Sequence, residues 1–492
     1  MEGKLDRLFL KRGPIKKIGV VGMGYVGIPS AFLFAGCSDY DFVYGFQRNS
    51  KTSGYKISML NSGVSPLKGE EPGLEELIED VVSKDKFRCI SDFSKIADCD
   101  AVTLTIQTPF KSREDLIPDF TPLTEGLRNT GRYLTSGTLV VLESTVTPGT
   151  TQGLAREILE EESGLVAGED FGLAHAPERV MVGRLLQNIQ EHDRIVGGIN
   201  DASTDRASEL YRQVLTKGEI IPMNATAAEV TKTAENTFRD LQIAAANQLA
   251  LYCEAMGVNF YDVRKGIDSL KGEGITRAVL WPGAGVGGHC LTKDTYHLER
   301  GISVANVGSL DFPERTDSLF VLARKINDFM PEHMFHLTKE GLARAGKKIR
   351  GSKIALLGWA FIANSDDARD TPSEIYYNLC KKEGAGVKIH DPYVRNYPGV
   401  EISSSLEEVT DYSDVIAVMT GHREYYDLKP SMIAERATNP VIVDGRNVIV
   451  PEQWIEEDFI YRGIGRGDYQ IPANRSRRKF YEKNGQIKKR IR

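Results

Sequence analysis

The run WPGAGVGGHCLTKDTYHL, residues 281–298, holds the residues best suited to covalent chemistry. Gly283, Gly285, Gly287 and Gly288 precede Cys290, and glycines at that density suit a backbone that passes close to a ligand or flexes around it. His289 and Lys293 flank the cysteine. Nearby cations lower a thiol pKa and make the nucleophilic thiolate available, whereas an arbitrary cysteine is more often inert core filler. Asp294 is placed to activate a water; its structural alternative is to cap the helix that follows.

A second group is helical. Lys232, Asn236, Arg239, Ile243 and Asn247 recur at helical spacing and share one face. If that face is buried, Lys232 stabilises alkoxide or oxyanion charge, Asn236 orients a water, and Arg239 binds a phosphate or a sugar substituent. An ordinary wet face is the alternative. Two further segments follow apolar strands, and ligands bind at the C-terminal edges of strands in open α/β sheets. LESTVTPGTT places Glu143, Ser144 and Thr145 at such an edge. AHAPERVMVGR, after the strand Phe171–Ala174, places Glu178 and Arg179 at another. A glutamate there serves as acid or base, or holds a catalytic water; the alternative for both segments is ordinary polar loop.

KKIGVVGMGYVG, residues 16–27, gives Gly22, Gly24 and Gly27 the spacing G-x-G-x-x-G between a strand and a helix. Gly22 permits the tight turn, Gly24 lets the backbone approach a pyrophosphate, and Gly27 lets helix and strand pack closely, with the helix N-terminus facing the phosphates. The next strand, DFVYGFQRN, offers Gln47 and Arg48 where an acid usually meets the adenosine ribose. Gln47 can still hydrogen-bond a ribose, and Arg48 either suits a 2′-phosphate or is a solvated surface residue. NAD is therefore the expected cofactor, with NADP as the alternative. A dinucleotide and a reactive thiol combine into one chemistry. Hydride removal from an alcohol gives an aldehyde; a thiolate adds to it; the thiohemiacetal loses a second hydride to become a thioester; water releases a carboxylate.

The elements that position these groups alternate between strand and helix. Ile18–Val21, Phe42–Phe46, Ala101–Ile106 and Leu139–Leu142 read as strands, with helical patterns such as Gly73–Val82 between them, and the sum is a parallel α/β sheet. Ala225–Met256, rich in Ala, Glu and Leu, reads as one long helix. The α/β pattern then restarts with strands Ile354–Leu357, Val387–His390, Val415–Met419 and Val441–Val443 and a helix from Pro372 to Lys382, after a charged stretch from Thr338 to Arg350. The expected fold is α/β, with two Rossmann-like doubly wound domains joined by a central long-helix domain. The boundaries drawn are 1–212 (dinucleotide binding), 213–330 (central, helical, dimerising), 331–470 (nucleotide-sugar binding) and 471–492 (a basic tail).

A chain of 492 residues exceeds one ordinary core. Six scattered cysteines make no disulfide framework, and neither a CxxC pair nor HExxH is present, so no metal site is expected. A net charge of −6 argues against nucleic-acid binding. No apolar run is long enough to span a bilayer, and the charged N-terminus lacks a signal-peptide core; a cytoplasmic protein without membrane attachment is expected. The tail from Arg475 to Arg492 is basic, and reads as solvated chain or as a contact for an anionic partner.

Taken in order, GMGYVG, QTPF, ESTVTPGTT, APERVMVGRLLQNI, KTAENTFRD, PGAGVGGHCLTKD and DDARDTPS resemble the motifs of the UDP-glucose/GDP-mannose dehydrogenase family, over about residues 16 to 467. The GGHC form is similar to the branch acting on UDP-N-acetylhexosamines. The resemblance implies a four-electron oxidation at sugar C6 to a uronate, using two nicotinamide cofactors, with UDP-glucose oxidation or a non-catalytic nucleotide-sugar sensor as the alternatives. It implies Cys290 as nucleophile, Lys232, Asn236 and Asp294 as its assistants, and Thr145 and Glu178 as polar helpers near the water. Gly22, Met23, Gly24, Tyr25, Val26, Gly27, Gln47, Arg48, Thr108, Pro109, Glu143, Ser144 and Thr145 would surround the cofactor. Glu178, Arg179, Val180, Lys232, Asn236, Arg239, Gly285, Gly287, His289 and Arg369 would surround the UDP-sugar. The resemblance also implies a homodimer through the central helix, and a C-terminal half that binds the nucleotide diphosphate. Two positions depart from the family pattern: Gln47 stands where Asp is usual, and Ile362 where Lys is common.

Overall fold

Short runs of consecutive apolar residues, buried on both faces, are what a parallel sheet covered by helices requires. The computed structural model describes residues 3–67, 71–111, 117–181, 183–269, 279–288, 290–304, 318–433 and 441–469. His289 and the basic tail, both singled out above, lie outside the described residues. The chain forms two compact units: one from within Met1–Thr237 and Lys293–Thr316, the other from within Phe238–Thr292 and Asp317–Arg492.

In the first unit the strands are β1 (Lys17–Val21), β2 (Phe42–Phe46), β3 (Phe87–Ile90), β4 (Ala101–Leu104), β5 (Leu139–Leu142), β6 (Gly172–His175), β7 (Arg194–Gly198) and β8 (Ile220–Asn224). They form one sheet in the order β3-β2-β1-β4-β5-β6-β7-β8. Chain order reverses between β1 and β4, the switch point at which open α/β sheets bind their ligands. β4, β5 and β6 are buried at every residue, which is why they read as plain apolar runs. β7 pairs with β6 antiparallel, Ala174 opposite Gly198 and His175 opposite Gly197, and β8 then follows β7 in parallel.

The second unit carries β9 (Lys353–Leu357), β10 (Gly386–His390), β11 (Val415–Val418), β12 (Val441–Asp444) and β13 (Ile460–Gly463), all parallel, in the order β10-β9-β11-β12-β13. The chain thus has two Rossmann-like sheets and a central helical region. The helix expected over Ala225–Met256 runs from Ala225 to Ala255, and the unit boundary falls inside it. The charged stretch from Thr338 to Arg350 begins as the last turns of a helix over Leu319–Arg344. No helix among the described residues is long and apolar enough to cross a membrane.

Buried polar groups tie the second unit together. Asp240 on the central helix pairs with Arg324 (2.6 Å) and accepts from the Asn327 amide (2.7 Å), both on the helix Leu319–Arg344. Asn247, two turns on, donates to Asn327 Oδ1 (2.8 Å) and accepts from the Gly283 N–H (2.9 Å). Asp240 and Arg324 are both almost fully buried, and Arg324 also pairs with Asp328 (3.0 Å), so it is removal of the arginine that leaves a buried charge uncompensated and costs about 3–5 kcal/mol. Through Asn247 this ladder fixes the start of the glycine run that leads to Cys290.

Candidate active site

β1 delivers Gly22 into its turn at φ +105°, a conformation that side chains avoid. Its N–H donates to Phe46 O (3.0 Å), and the Thr105 hydroxyl donates to its carbonyl (2.6 Å), so the turn is held from β2 and from the end of β4. A Cβ at Gly27 would stand 1.9 Å from the Gly22 carbonyl, so the helix Gly27–Gly36 packs directly on the turn. A Cβ at Gly24 would meet nothing within 4 Å, which is the open approach a pyrophosphate needs. Met23, buried, and the half-buried Tyr25 and Val26 complete this cradle. It fits a dinucleotide.

The strand ends beside it are laced together. The Thr108 hydroxyl donates to Thr145 O (2.6 Å), and the buried Lys293 ammonium donates to Thr108 O (3.0 Å) and to its hydroxyl (3.2 Å). Pro109 O accepts from Asp119 N–H (2.6 Å), and Ser144 Oγ donates to Leu104 O (3.3 Å). Glu143 is buried and already engaged: it accepts from the Tyr211 hydroxyl (2.7 Å) and pairs with Arg194 (3.4 Å). Burial pushes its carboxyl up, and the Arg194 guanidinium pulls it back down.

Arg194 also pairs with Glu178 and donates to Ala176 O (2.8 Å). Extending the antiparallel β6–β7 register past His175 sets Arg194 opposite Glu178. Two buried carboxylates therefore share one guanidinium, which also lies over the Tyr211 ring at 4.2 Å. His175 beside them is fully buried with neither ring nitrogen hydrogen-bonded, and its pKa is lowered to about 3 by burial and by the charges of Arg194 and Lys232. Arg179 pairs with Glu235 (3.7 Å) and donates to Asp193 O, while Val180 packs on the first unit's core.

The central helix supplies the rest. Lys232 and Asn236 are both buried. Asn236 Nδ2 donates to Asp294 Oδ2 (2.6 Å), while Asp294 Oδ1 has no hydrogen-bond partner and stands 3.8 Å from the Lys293 ammonium. Asp294 lies in the first turn of the helix Leu291–Val304, and burial raises its pKa against the pull of Lys293 and Lys232. The buried band of this helix runs Glu229, Lys232, Thr233, Asn236, Thr237, Asp240 and Asn247. It is rotated toward Asp240, so Arg239 lies at its exposed edge, and Ile243 is half-buried.

In the second unit, Gly285 takes φ +116°, and a Cβ there would lie 2.9 Å from Pro331; at Gly287 it would lie 2.6 Å from Phe361. Arg446 donates to Gly285 O (3.1 Å), and Gly288 N–H donates to Arg369 O (3.0 Å). The glycine run is thus a fitted strap over the ends of β9 and β12. Arg369 is clamped by Asp367 (2.8 Å), with its guanidinium half exposed. Ile362 is exposed. Cys290 is exposed and immediately precedes the helix Leu291–Val304, whose N-terminal dipole favours a thiolate.

Sequence reasoning missed Arg194, His175 and Glu229. Glu229 accepts from Gly149 N–H (2.6 Å), Thr151 N–H (2.7 Å) and the Thr151 hydroxyl (2.6 Å), pinning the segment after β5 to the central helix. Its position nearly one turn before Lys232, on the same face, is a signal that could have found it. Arg194 opens an apolar strand and carries no motif; only the strand's direction discloses its partner.

A glycine cradle at the switch point of a mostly parallel sheet, with a buried lysine and a buried carboxylate on two adjoining helices, defines a dinucleotide-dependent dehydrogenase. The chain matches the NAD binding domain of the UDP-glucose/GDP-mannose dehydrogenase family over residues 16–215, its central domain over 226–314 and its UDP binding domain over 355–451. It is 36% identical, over 92% of its length and 100% of the relative's, to the UDP-N-acetyl-D-mannosamine dehydrogenase of Pyrococcus horikoshii. It is 30% identical, over 88% of its length and 96% of the relative's, to an NDP-N-acetyl-D-galactosaminuronic acid dehydrogenase of Ralstonia solanacearum. A crystal structure of NDP-N-acetyl-D-galactosaminuronic acid dehydrogenase from Methanosarcina mazei Go1 superposes with a TM-score of 0.87 at 68% identity, covering 96% of this chain and 100% of that one. The chain belongs to the UDP-glucose/GDP-mannose dehydrogenase family and is an NAD-dependent nucleotide-sugar dehydrogenase.

The two glycines separate binding from folding. Gly24→Val fills the open approach and should weaken NAD binding at least about tenfold with an unchanged melting temperature. Gly27→Ala forces a Cβ into the Gly22 carbonyl and should lower the melting temperature itself. Calorimetric titration beside thermal unfolding reads both; equal effects of the two variants would contradict this assignment.

Proposed function

We propose that the enzyme oxidises the C6 alcohol of a UDP-N-acetylhexosamine to the uronate through a covalent intermediate on Cys290. The observation that carries this reading is Asp294: one oxygen is held by Asn236, the other is unbonded, and both lie in a buried setting with Lys232 and Lys293. That is a carboxylate kept for a water. The resemblance of the GGHC form to the branch acting on UDP-N-acetylhexosamines, and the names of the relatives above, support the substrate class.

Bound NAD supplies the hydride acceptor in each of two oxidations. The chain's own groups do the remainder. The C6 alcohol gives up its carbon-bound hydrogen as hydride and its hydroxyl proton to solvent, and the Lys232 ammonium, buried and without a hydrogen bond to a described residue, stabilises the negative charge on the C6 oxygen. The Cys290 thiolate adds to the aldehyde carbon to give a thiohemiacetal. Loss of the second hydride leaves a thioester. Asp294 then takes a proton from water as its oxygen attacks the thioester carbon, and the C–S bond breaks to return the thiolate. Glu178, fixed by Arg194, and Thr145 orient that water.

The protein is further proposed to work as a homodimer through the central helix. Phe238, Leu241, Ala245, Leu249, Tyr252 and Met256 recur at helical spacing, and Phe238, Tyr252 and Met256 are each more than half exposed. Such a stripe on a helix calls for a partner.

Assays of cofactor reduction over UDP-N-acetylmannosamine, UDP-N-acetylgalactosamine, UDP-N-acetylglucosamine and UDP-glucose test the substrate class; a preference for UDP-glucose would overturn it. Cys290→Ser should abolish uronate formation, by a factor of about a thousand or more, while leaving nucleotide-sugar affinity within a few-fold. Undiminished turnover would end the covalent scheme. Asp294 acts ionised, so activity is lost as pH falls through its raised pKa. Lys293→Met removes a cation that lowers that pKa and should move the acidic limb of kcat to higher pH. Stability runs in the opposite sense: folding raises this pKa, so its contribution is full at low pH and is lost as pH rises through the folded value. An acidic limb that stays fixed in Lys293→Met would reject Asp294 as the base. Phe238→Glu with Tyr252→Glu should halve the mass measured by sedimentation; an unchanged mass would place any dimer contact elsewhere.

A further inference from the structure

Rossmann sites that are selective for NAD place an acid at the end of the second strand, where it accepts from the ribose 2′-hydroxyl and would repel a phosphate. Here that position is Gln47, and its amide is already committed. Its Oε1 accepts from Met23 N–H in the glycine turn (3.2 Å), and its Nε2 donates to Ser53 Oγ (3.0 Å) and Arg48 O (3.3 Å).

The segment Gln47–Lys56 contains Arg48, Lys51 and Lys56 and no carboxylate. Lys56 is half-buried, and its ammonium donates to Met23 O (2.7 Å), which brings a cation onto the glycine turn itself. Arg48 pairs through Nη1 with Glu125 (2.6 Å), leaving Nε and Nη2 for another acceptor. Ser50 Oγ lies 2.7 Å from Ser53 Oγ and 3.3 Å from Thr52 Oγ1, a cluster of three hydroxyls bonded to one another that can turn a donor outward. The loop is preformed: Gly54 N–H donates to Ser50 O (2.8 Å), and a Cβ at Gly54 would collide with Asn49 Oδ1 at 2.4 Å.

Arginine, lysine and hydroxyls on a segment that itself carries no acid are the groups that bind a phosphate monoester dianion; the one carboxylate that reaches them, Glu125, is held by Arg48. We propose that the segment Gln47–Lys56 is a 2′-phosphate subsite and that the enzyme binds and uses NADP as well as NAD. This rests on the dinucleotide reading of the glycine cradle. The hydride chemistry is unchanged, because the 2′-phosphate lies at the far end of the cofactor from the ring that accepts hydride.

The test is fluorescence titration of the full chain, without sugar, using NADH and NADPH, with 2′,5′-ADP and 5′-AMP as competitors. The expected result has four parts. NADPH binds within about tenfold of NADH. 2′,5′-ADP displaces NADPH better than 5′-AMP does. Gln47→Asp, which adds a negative charge beside the phosphate, shifts the NADPH-to-NADH affinity ratio toward NADH by at least about tenfold, and Arg48→Ala shifts it the same way. NADH binding in each variant reports a folded cleft. NADPH weaker than NADH by more than about tenfold in the wild-type chain, or a ratio unmoved by Gln47→Asp, overturns the subsite alone. Binding of neither nucleotide overturns the cradle reading and the subsite with it.

Discussion

Every polar group on the buried face of the helix Ala225–Ala255 has to be matched, and much of the rest of the structure follows from how that is done. A buried polar atom without a partner costs about 1–3 kcal/mol, and a buried charge costs more. Glu229 is matched by the segment after β5, Asn236 by Asp294, Asp240 by Arg324 and Asn327, and Asn247 by Asn327 and the Gly283 amide. Each match fixes a neighbouring segment against the helix. Lys232 is the exception on this face, a buried cation with no hydrogen bond to a described residue, and it is the group proposed to meet substrate charge.

Much of this was legible in the residues. Parallel strands buried on both faces read as apolar runs, so β1, β2, β4, β5, β6 and β9 to β12 were found within a residue or two. The glycine spacing disclosed the cradle because only backbone geometry demands glycine there. β3, β7, β8 and β13 were missed: β7 and β8 carry Arg, Gly, Pro and Asn among their apolar residues, and periodicity says nothing about a strand whose neighbours set its burial. The helical face was read from its spacing, but its centre was set one residue away, which put Arg239 in place of Asp240. Spacing alone does not tell which edge of a polar stripe is covered; packing of the helix Leu319–Arg344 decides that. Lys293 was read as a cation beside the thiol, whereas its ammonium is spent on Thr108.

Electrostatics explains why the strand ends of the first unit form one unit of behaviour. Glu143 and Glu178 compete for a single guanidinium, with His175 kept neutral by that guanidinium and by burial. Moving any member changes the charge state the others prefer, so the segments after β5 and β6 are coupled through these side chains as well as through the bond from Ala176 N–H to Leu142 O.

The reversal of β7 has a further consequence. In an all-parallel sheet, residues reaching the ligand edge come from strand ends, and the loops between them decide where they fall. Because β7 enters the sheet running the other way, Arg194 arrives at that edge as a strand's first residue, located by the ladder with β6. The guanidinium is therefore aimed at its carboxylate by ladder register, and the helix Leu185–Glu191 that leads into β7 has only to pack, not to aim a charge.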